Sequence, residues 1–196
     1  MEAEREARSG DGAVRRMRWP LRQLLALAPV PVLLGAAAFL ASCGNDTNGS
    51  EPELEPSQVM TVQATSRTVE LTLTAADTSN YGGFNFDGYS TGQMTVYVPL
   101  GWTVDVTCHN SSSVLTHSCS VIDDVPIAPS GGPIAFYGST TPSPVDGIGC
   151  GVTDHYSFVA ARLGRFRIAC LVSGHEADGM WDWMVVTQSG QPRVSV

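Results

Sequence analysis

The chemistry-bearing residues of this chain stand near its C-terminal end. Cys170-Leu-Val-Ser-Gly-His175-Glu-Ala-Asp-Gly-Met180 places four residues between each donor and the next. A thiolate, an imidazole and a thioether are soft or borderline ligands, and a trigonal Cys/His2 set with a weak axial Met suits copper that cycles between two oxidation states. The second imidazole must come from elsewhere in the chain. His117, at the end of the polar loop Asn110-Ser-Ser-Ser-Val-Leu-Thr, fills that place. His109 competes, but period-two alternation puts it on the wet face with Thr107 and Asp105. His155 precedes a strand with no Cys or Met beside it and reads as a surface residue. The set predicts one copper held by His117, Cys170, His175 and Met180.

Composition and motif absences narrow what such a site would do. A multicopper oxidase needs His-x-His pairs for its trinuclear cluster, and the sequence has none. A binuclear copper centre needs a second Cys in the ligand loop, and Leu171 to Gly179 has none. These absences argue against an enzyme. The alternative is a copper-binding carrier or storage protein, which favours exposed Met- or Cys-rich sites; only 6 Met are scattered here.

The elements that must position these donors read as strands. Met94, Val96 and Val98 alternate with Thr95 and Tyr97 before Pro99; Trp102, Val104, Val106 and Cys108 alternate with Thr103, Asp105 and Thr107. Phe166, Ile168 and Cys170 alternate with Arg165 and Arg167, which places Cys170 on the core face and both Arg on the wet one. Thr61–Thr74, Tyr156–Ala160 and Trp183–Thr187 are weaker candidates, and no segment keeps a helical period. Short strands between turns predict an all-β, antiparallel Greek-key β-sandwich. Gly174 and Gly179 supply the turns that aim His175 and Met180 back toward the metal. Asp123 to Asp154 breaks the rhythm with five Pro and six Gly, and reads as an ordered insertion over the sandwich or as a lid.

The N-terminal part is of another kind. Arg15, Arg16, Arg18 and Arg22 precede an apolar run from Leu24 to Ala41, the charged and hydrophobic regions of a secretory signal. Leu40-Ala41-Ser42-Cys43 has the order of a bacterial lipoprotein cleavage site, which makes Cys43 the lipid-bearing mature N-terminus; an uncleaved membrane anchor and a soluble secreted form are the alternatives. Residues 1–42 are thus signal or anchor, and 43–58 an acidic tether too polar to order itself, spanning roughly 20 Å on a root-mean-square basis. Residues 59–196 suit one domain. Residues 1–42 hold six Arg and four acids, so the formal charge of −8 becomes −10 for 43–196. That balance argues against a nucleic-acid partner. The chain is expected to be a monomer at the extracytoplasmic side of the cell membrane.

Beyond single residues, Phe84-Asn85-Phe86-Asp87-Gly88, Ser90-Thr91-Gly92-Gln93, Val96-Tyr97-Val98-Pro99, the Asn-to-His loop and Cys170 to Trp181 together resemble the cupredoxins, and most closely the sulfocyanins. The resemblance implies a cupredoxin sandwich with one type 1 copper on His117, Cys170, His175 and Met180, electron exchange through His175, and redox partners such as a cytochrome or a terminal oxidase. Glu176 and Asp178 flank His175 and would favour a basic docking patch. Two positions depart from the pattern: Thr116 replaces a Pro, and Ser118 replaces the Asn whose side chain often braces the site. Of the 5 Cys, lipid and copper claim Cys43 and Cys170. Cys108, Cys119 and Cys150 are left, and any two could pair in an oxidising compartment.

Overall fold

The computed structural model describes residues 56–128 and 131–196. The signal, Cys43 and all of the tether but its last residues lie outside them. One helical turn, α1 (Pro56–Val59), leads into nine strands: β1 (Met60–Gln63), β2 (Thr68–Ala75), β3 (Thr95–Pro99), β4 (Thr103–Asn110), β5 (Ser120–Asp123), β6 (Thr153–Val159), β7 (Gly164–Ala169), β8 (Trp181–Thr187) and β9 (Arg193–Ser195). They form two sheets, β1-β2-β4-β6 and β5-β7-β8-β3-β9. Alternation explains the packing. Val69, Leu71 and Leu73 of β2, Val104, Val106 and Cys108 of β4, and Phe158 of β6 are buried in one core with Val96, Val98, Phe166, Ile168, Met184 and Val186 of the other sheet.

The sandwich is the expected one, but it is not purely antiparallel. β2 runs parallel to β4 with Leu71 opposite Val106, and β3 runs parallel to β8 with Val96 opposite Met184. The chain leaves the first sheet after β2, forms β3 in the second and returns as β4, so β2 and β4 point the same way. β5 and β9 were beyond the reach of periodicity, being four and three residues long. Pro99 closes β3 from inside it; β9 pairs only with Thr95–Tyr97, so the missing N–H costs no bond on that side.

Arg167 departs from its expected wet position: it is 3% exposed. Its Nε–H donates to Glu176 Oε1 at 2.8 Å and its Nη1–H to Asp124 Oδ1 at 2.9 Å. A guanidinium is buried only where its fork of donors is met, and acids from the metal-side loop and from the end of β5 meet it here.

The Asp123–Asp154 segment, over its described residues, is tied down by bridges of Ile134 to Ile122, Thr140 to Ser120 and Ile148 to His117. It is an ordered insertion rather than a free lid.

Candidate metal centre

Cys170 follows the last residue of β7, and a chain of backbone bonds folds the next ten residues back on it. The N–H of His175 donates to Val172 O at 3.1 Å, that of Met180 to His175 O at 2.9 Å, and that of Cys170 to Met180 O at 3.1 Å. Gly179 sits at φ +100°, where a side chain would be strained and its Cβ would fall 2.9 Å from Ser90 Oγ. The three donors are thereby gathered by local turns at one end of the sandwich.

His117 arrives by a different route. A disulfide joins Cys108 of β4 to Cys119 and closes the intervening loop; of the pairings left open by the sequence, this one forms. Asn110 is buried inside that loop, its Nδ2 donating to Leu115 O and Ile148 O, both at 2.9 Å. The insertion then pairs with His117 itself, Ile148 N–H to His117 O at 2.7 Å. Gly147, at φ +76°, lies so close that a Cβ would stand 3.0 Å from both His117 N and O.

The two routes converge. His117 Nδ1 is 3.9 Å and His175 Nδ1 3.4 Å from Cys170 Sγ, and the three donor atoms lie within 4.8 Å of one another. Cys170, His117 and Met180 are fully buried, and His175 is 9% exposed. Phe84 sets its ring edge-on to both imidazoles, with centroids 4.9 Å from His175 and 6.5 Å from His117. His109 and His155 lie on the outer face of the first sheet, bonded to Thr153 and Thr107; alternation predicts this for His109, while His155, read as preceding a strand, stands inside β6. Cys150 is exposed and free.

Burial acts on every donor. It lowers His117 to about 4, with the neighbouring His175 adding to the shift. It lowers His175 as well, against the pull of Asp178, and raises the Cys170 thiol against hydrogen bonds from Ser118 and Val172. Two neutral imidazoles and a thiol that must shed its proton are what a soft cation binds, so the donor set fits copper.

Ser118 was expected to leave the Cys170 sulfur without a side-chain brace. The structure supplies one. Its backbone N–H donates to Sγ at 3.3 Å, its hydroxyl lies 3.7 Å from the same sulfur, and that hydroxyl accepts the Leu171 N–H at 2.8 Å. Glu176, expected beside His175 as a docking charge, is instead 2% exposed and spent on Arg167, which leaves Asp178 as the exposed acid of that pair. The Ser118 N–H bond to the sulfur is the one the sequence allows for, but the hydroxyl brace and the roles of Asn110 and Arg167 were not read from sequence; only an Arg three residues before the Cys and a Glu just after the His hinted at the last.

Residues 56–193 match the model of the sulfocyanin (SoxE) domain. The chain belongs to the sulfocyanin family. A curated Sulfocyanin from Sulfolobus acidocaldarius is 31% identical over 133 residues, covering 64% of this chain and 67% of that protein. Among solved structures, the chain is similar to auracyanin from Roseiflexus castenholzii, at 20% identity and a TM-score of 0.46 over 60% of this chain and 96% of that one. It is likewise similar to rusticyanin from Thiobacillus ferrooxidans, at 23% identity and 0.42 over 66% and 88%. Membership makes the protein a blue copper electron carrier rather than an enzyme, with one type 1 copper and redox proteins as its partners.

Proposed function

We propose that His117, Cys170, His175 and Met180 hold the type 1 copper and that electrons cross at the His175 edge. The observation that carries this is the convergence of His117, Cys170 and His175 donor atoms within 4.8 Å in a buried pocket. Bound there, copper supplies a one-electron couple. The chain's own part is to keep the donors still: the Ser118 bonds orient the sulfur, the turns of 172–180 fix His175, and the disulfide and Ile148 fix His117. Ligands held in this way change little between oxidation states, and a dry surround around the sulfur favours the reduced ion. His175 is the donor nearest solvent, with exposed Ala177 and Asp178 beside it, so a small basic redox partner, a cytochrome or a terminal oxidase, suits this edge.

The same reading places the domain outside the cytoplasm, tethered through residues 43–58 to a lipid on Cys43. The Cys108–Cys119 bridge supports an oxidising compartment, and the Leu40-Ala41-Ser42-Cys43 order supports lipidation. Among the described residues, no helix is long and apolar enough to cross a membrane. Storage or delivery of copper is disfavoured by burial of the donors, which slows metal exchange.

Absorption and paramagnetic resonance spectra of the copper-loaded protein test the site. Wild type should show an intense visible thiolate-to-copper band, and Cys170→Ser should abolish it; a band that persisted in Cys170→Ser would overturn the ligand set. Mass spectrometry of the membrane-extracted protein checks for a diacylglycerol-bearing Cys43.

A further inference from the structure

The Ser90-Thr91-Gly92-Gln93 turn carries no metal donor, yet it is bonded on both sides of Met180. The Ser90 hydroxyl, buried at 1% exposure, donates to Gly179 O at 2.7 Å. The Thr91 N–H donates to the same carbonyl at 2.9 Å, and the Gly92 N–H to Trp181 O at 2.9 Å. Two residues on, the Met94 N–H donates to the buried carboxyl of Asp182, and the Trp183 N–H returns to Met94 O, both at 2.9 Å. On the far side, every one of these bonds ends on a residue within three positions of Met180. Thr91 holds φ at +54° to make the turn, a conformation a β-branched residue avoids and one that persists where the surroundings impose it. Gln93 braces the turn from outside, its Oε1 accepting from the Ser90 N–H at 3.1 Å and from the Tyr81 hydroxyl at 2.9 Å.

We propose that Ser90, with the backbone of Thr91 and Gly92, is a positioning device that fixes how far Met180 stands from the metal and so tunes the reduction potential. Two bonds hold the peptide carbonyl just before Met180 and a third holds the carbonyl of Trp181, the next residue, while the turn itself is anchored by the parallel pairing of β3 with β8. The thioether is the weak member of the donor set, and a weak bond is the one whose length the scaffold can dictate. Loosening the clamp lets Met180 withdraw, which removes donation that favours Cu(II) and raises the potential.

This rests on Met180 as the axial donor, so the experiment separates the two ideas. Copper-loaded Ser90→Ala, Gln93→Ala, Met180→Leu and the Ser90→Ala/Met180→Leu double variant are compared by voltammetry and paramagnetic resonance. Ser90→Ala should raise the Cu(I):Cu(II) ratio at a fixed poise by up to about fivefold, the scale of one lost hydrogen bond, and should alter the copper hyperfine splitting. Gln93→Ala, at an exposed residue that leaves no hole in the core, should shift the ratio in the same direction by less, and it carries the test if Ser90→Ala does not fold. In the Met180→Leu background the Ser90→Ala shift should vanish. Unchanged potential and spectrum in Ser90→Ala and Gln93→Ala, with Met180→Leu altered, overturn the positioning role alone, as does a Ser90→Ala shift that survives undiminished beside Met180→Leu. A Met180→Leu protein identical to wild type overturns the axial donor, and the proposal with it.

Discussion

The two halves of the candidate metal centre are held by different means. Cys170, His175 and Met180 sit on one short loop whose own backbone bonds close it, and the Arg167–Glu176 pair pins that loop to the end of β5. His117 stands 53 positions before Cys170; its own loop is closed by a disulfide and by Asn110, and the returning insertion pairs with it. Both loops are short and few residues must be ordered to close either, but the first is closed by turns alone, whereas the His117 loop uses a covalent bond and a strand bridge to Ile148. The long insertion, which looks decorative in sequence, is part of how the distant half is held.

Breaking the clamp on the local half should have the largest effect on stability. Arg167→Met strands Glu176 as a buried carboxylate without its partner, and loss of one member of a buried pair costs about 3–5 kcal/mol; urea unfolding of the apo protein measures it. On the distant half, Cys108→Ser/Cys119→Ser should cost about 2–4 kcal/mol and weaken copper retention against a chelator more than Arg167→Met does at equal stability. Equal chelator sensitivity in the two variants would erase the contrast between the halves. Gly147→Ala sharpens it further. Forcing a Cβ into a positive-φ position should cost about 1–2 kcal/mol, and because that Cβ meets His117 N and O, the hyperfine pattern should change while β-sheet circular dichroism does not.

A pH-dependent effect belongs to the turn between β2 and β3. Asp87, whose Oδ1 accepts the Thr74 N–H at 3.0 Å, has its carboxyl raised to about 7, chiefly by burial. The folded state thus holds the proton more tightly than the unfolded one. Its stabilising contribution is complete below the ordinary value of 3.8 and is lost as pH rises to about 7. Asp87→Asn keeps an acceptor for Thr74 but cannot ionise, so it should flatten the stability profile across that window. Thermal melts at several pH values read it; an unchanged slope would clear Asp87 of the pH dependence.

Much of this was legible beforehand. Cys-x4-His-x4-Met is written within eleven residues, and local spacing survives folding because the turns that use it are local too. Alternation marked the cores of β3, β4 and β7 for the same reason: each side chain's face depends only on its own parity. The reading failed where parity met a partner from far away. Arg167 has a wet-face position, and it is buried because Asp124 and Glu176 reach it.

The sequence by itself marked the candidate donors on the C-terminal loop and His117, the strand-rich body and the family signature in residues 84–99, because all of these are carried by residue type and short-range order. Only the tertiary structure decided which Cys pair, that Ser118 braces the sulfur in place of an Asn, that two strand pairs run parallel, and that the turn at Ser90 grips the chain around Met180. Each of those joins residues eleven or more positions apart or depends on which way a hydroxyl points, and no local pattern encodes such a choice.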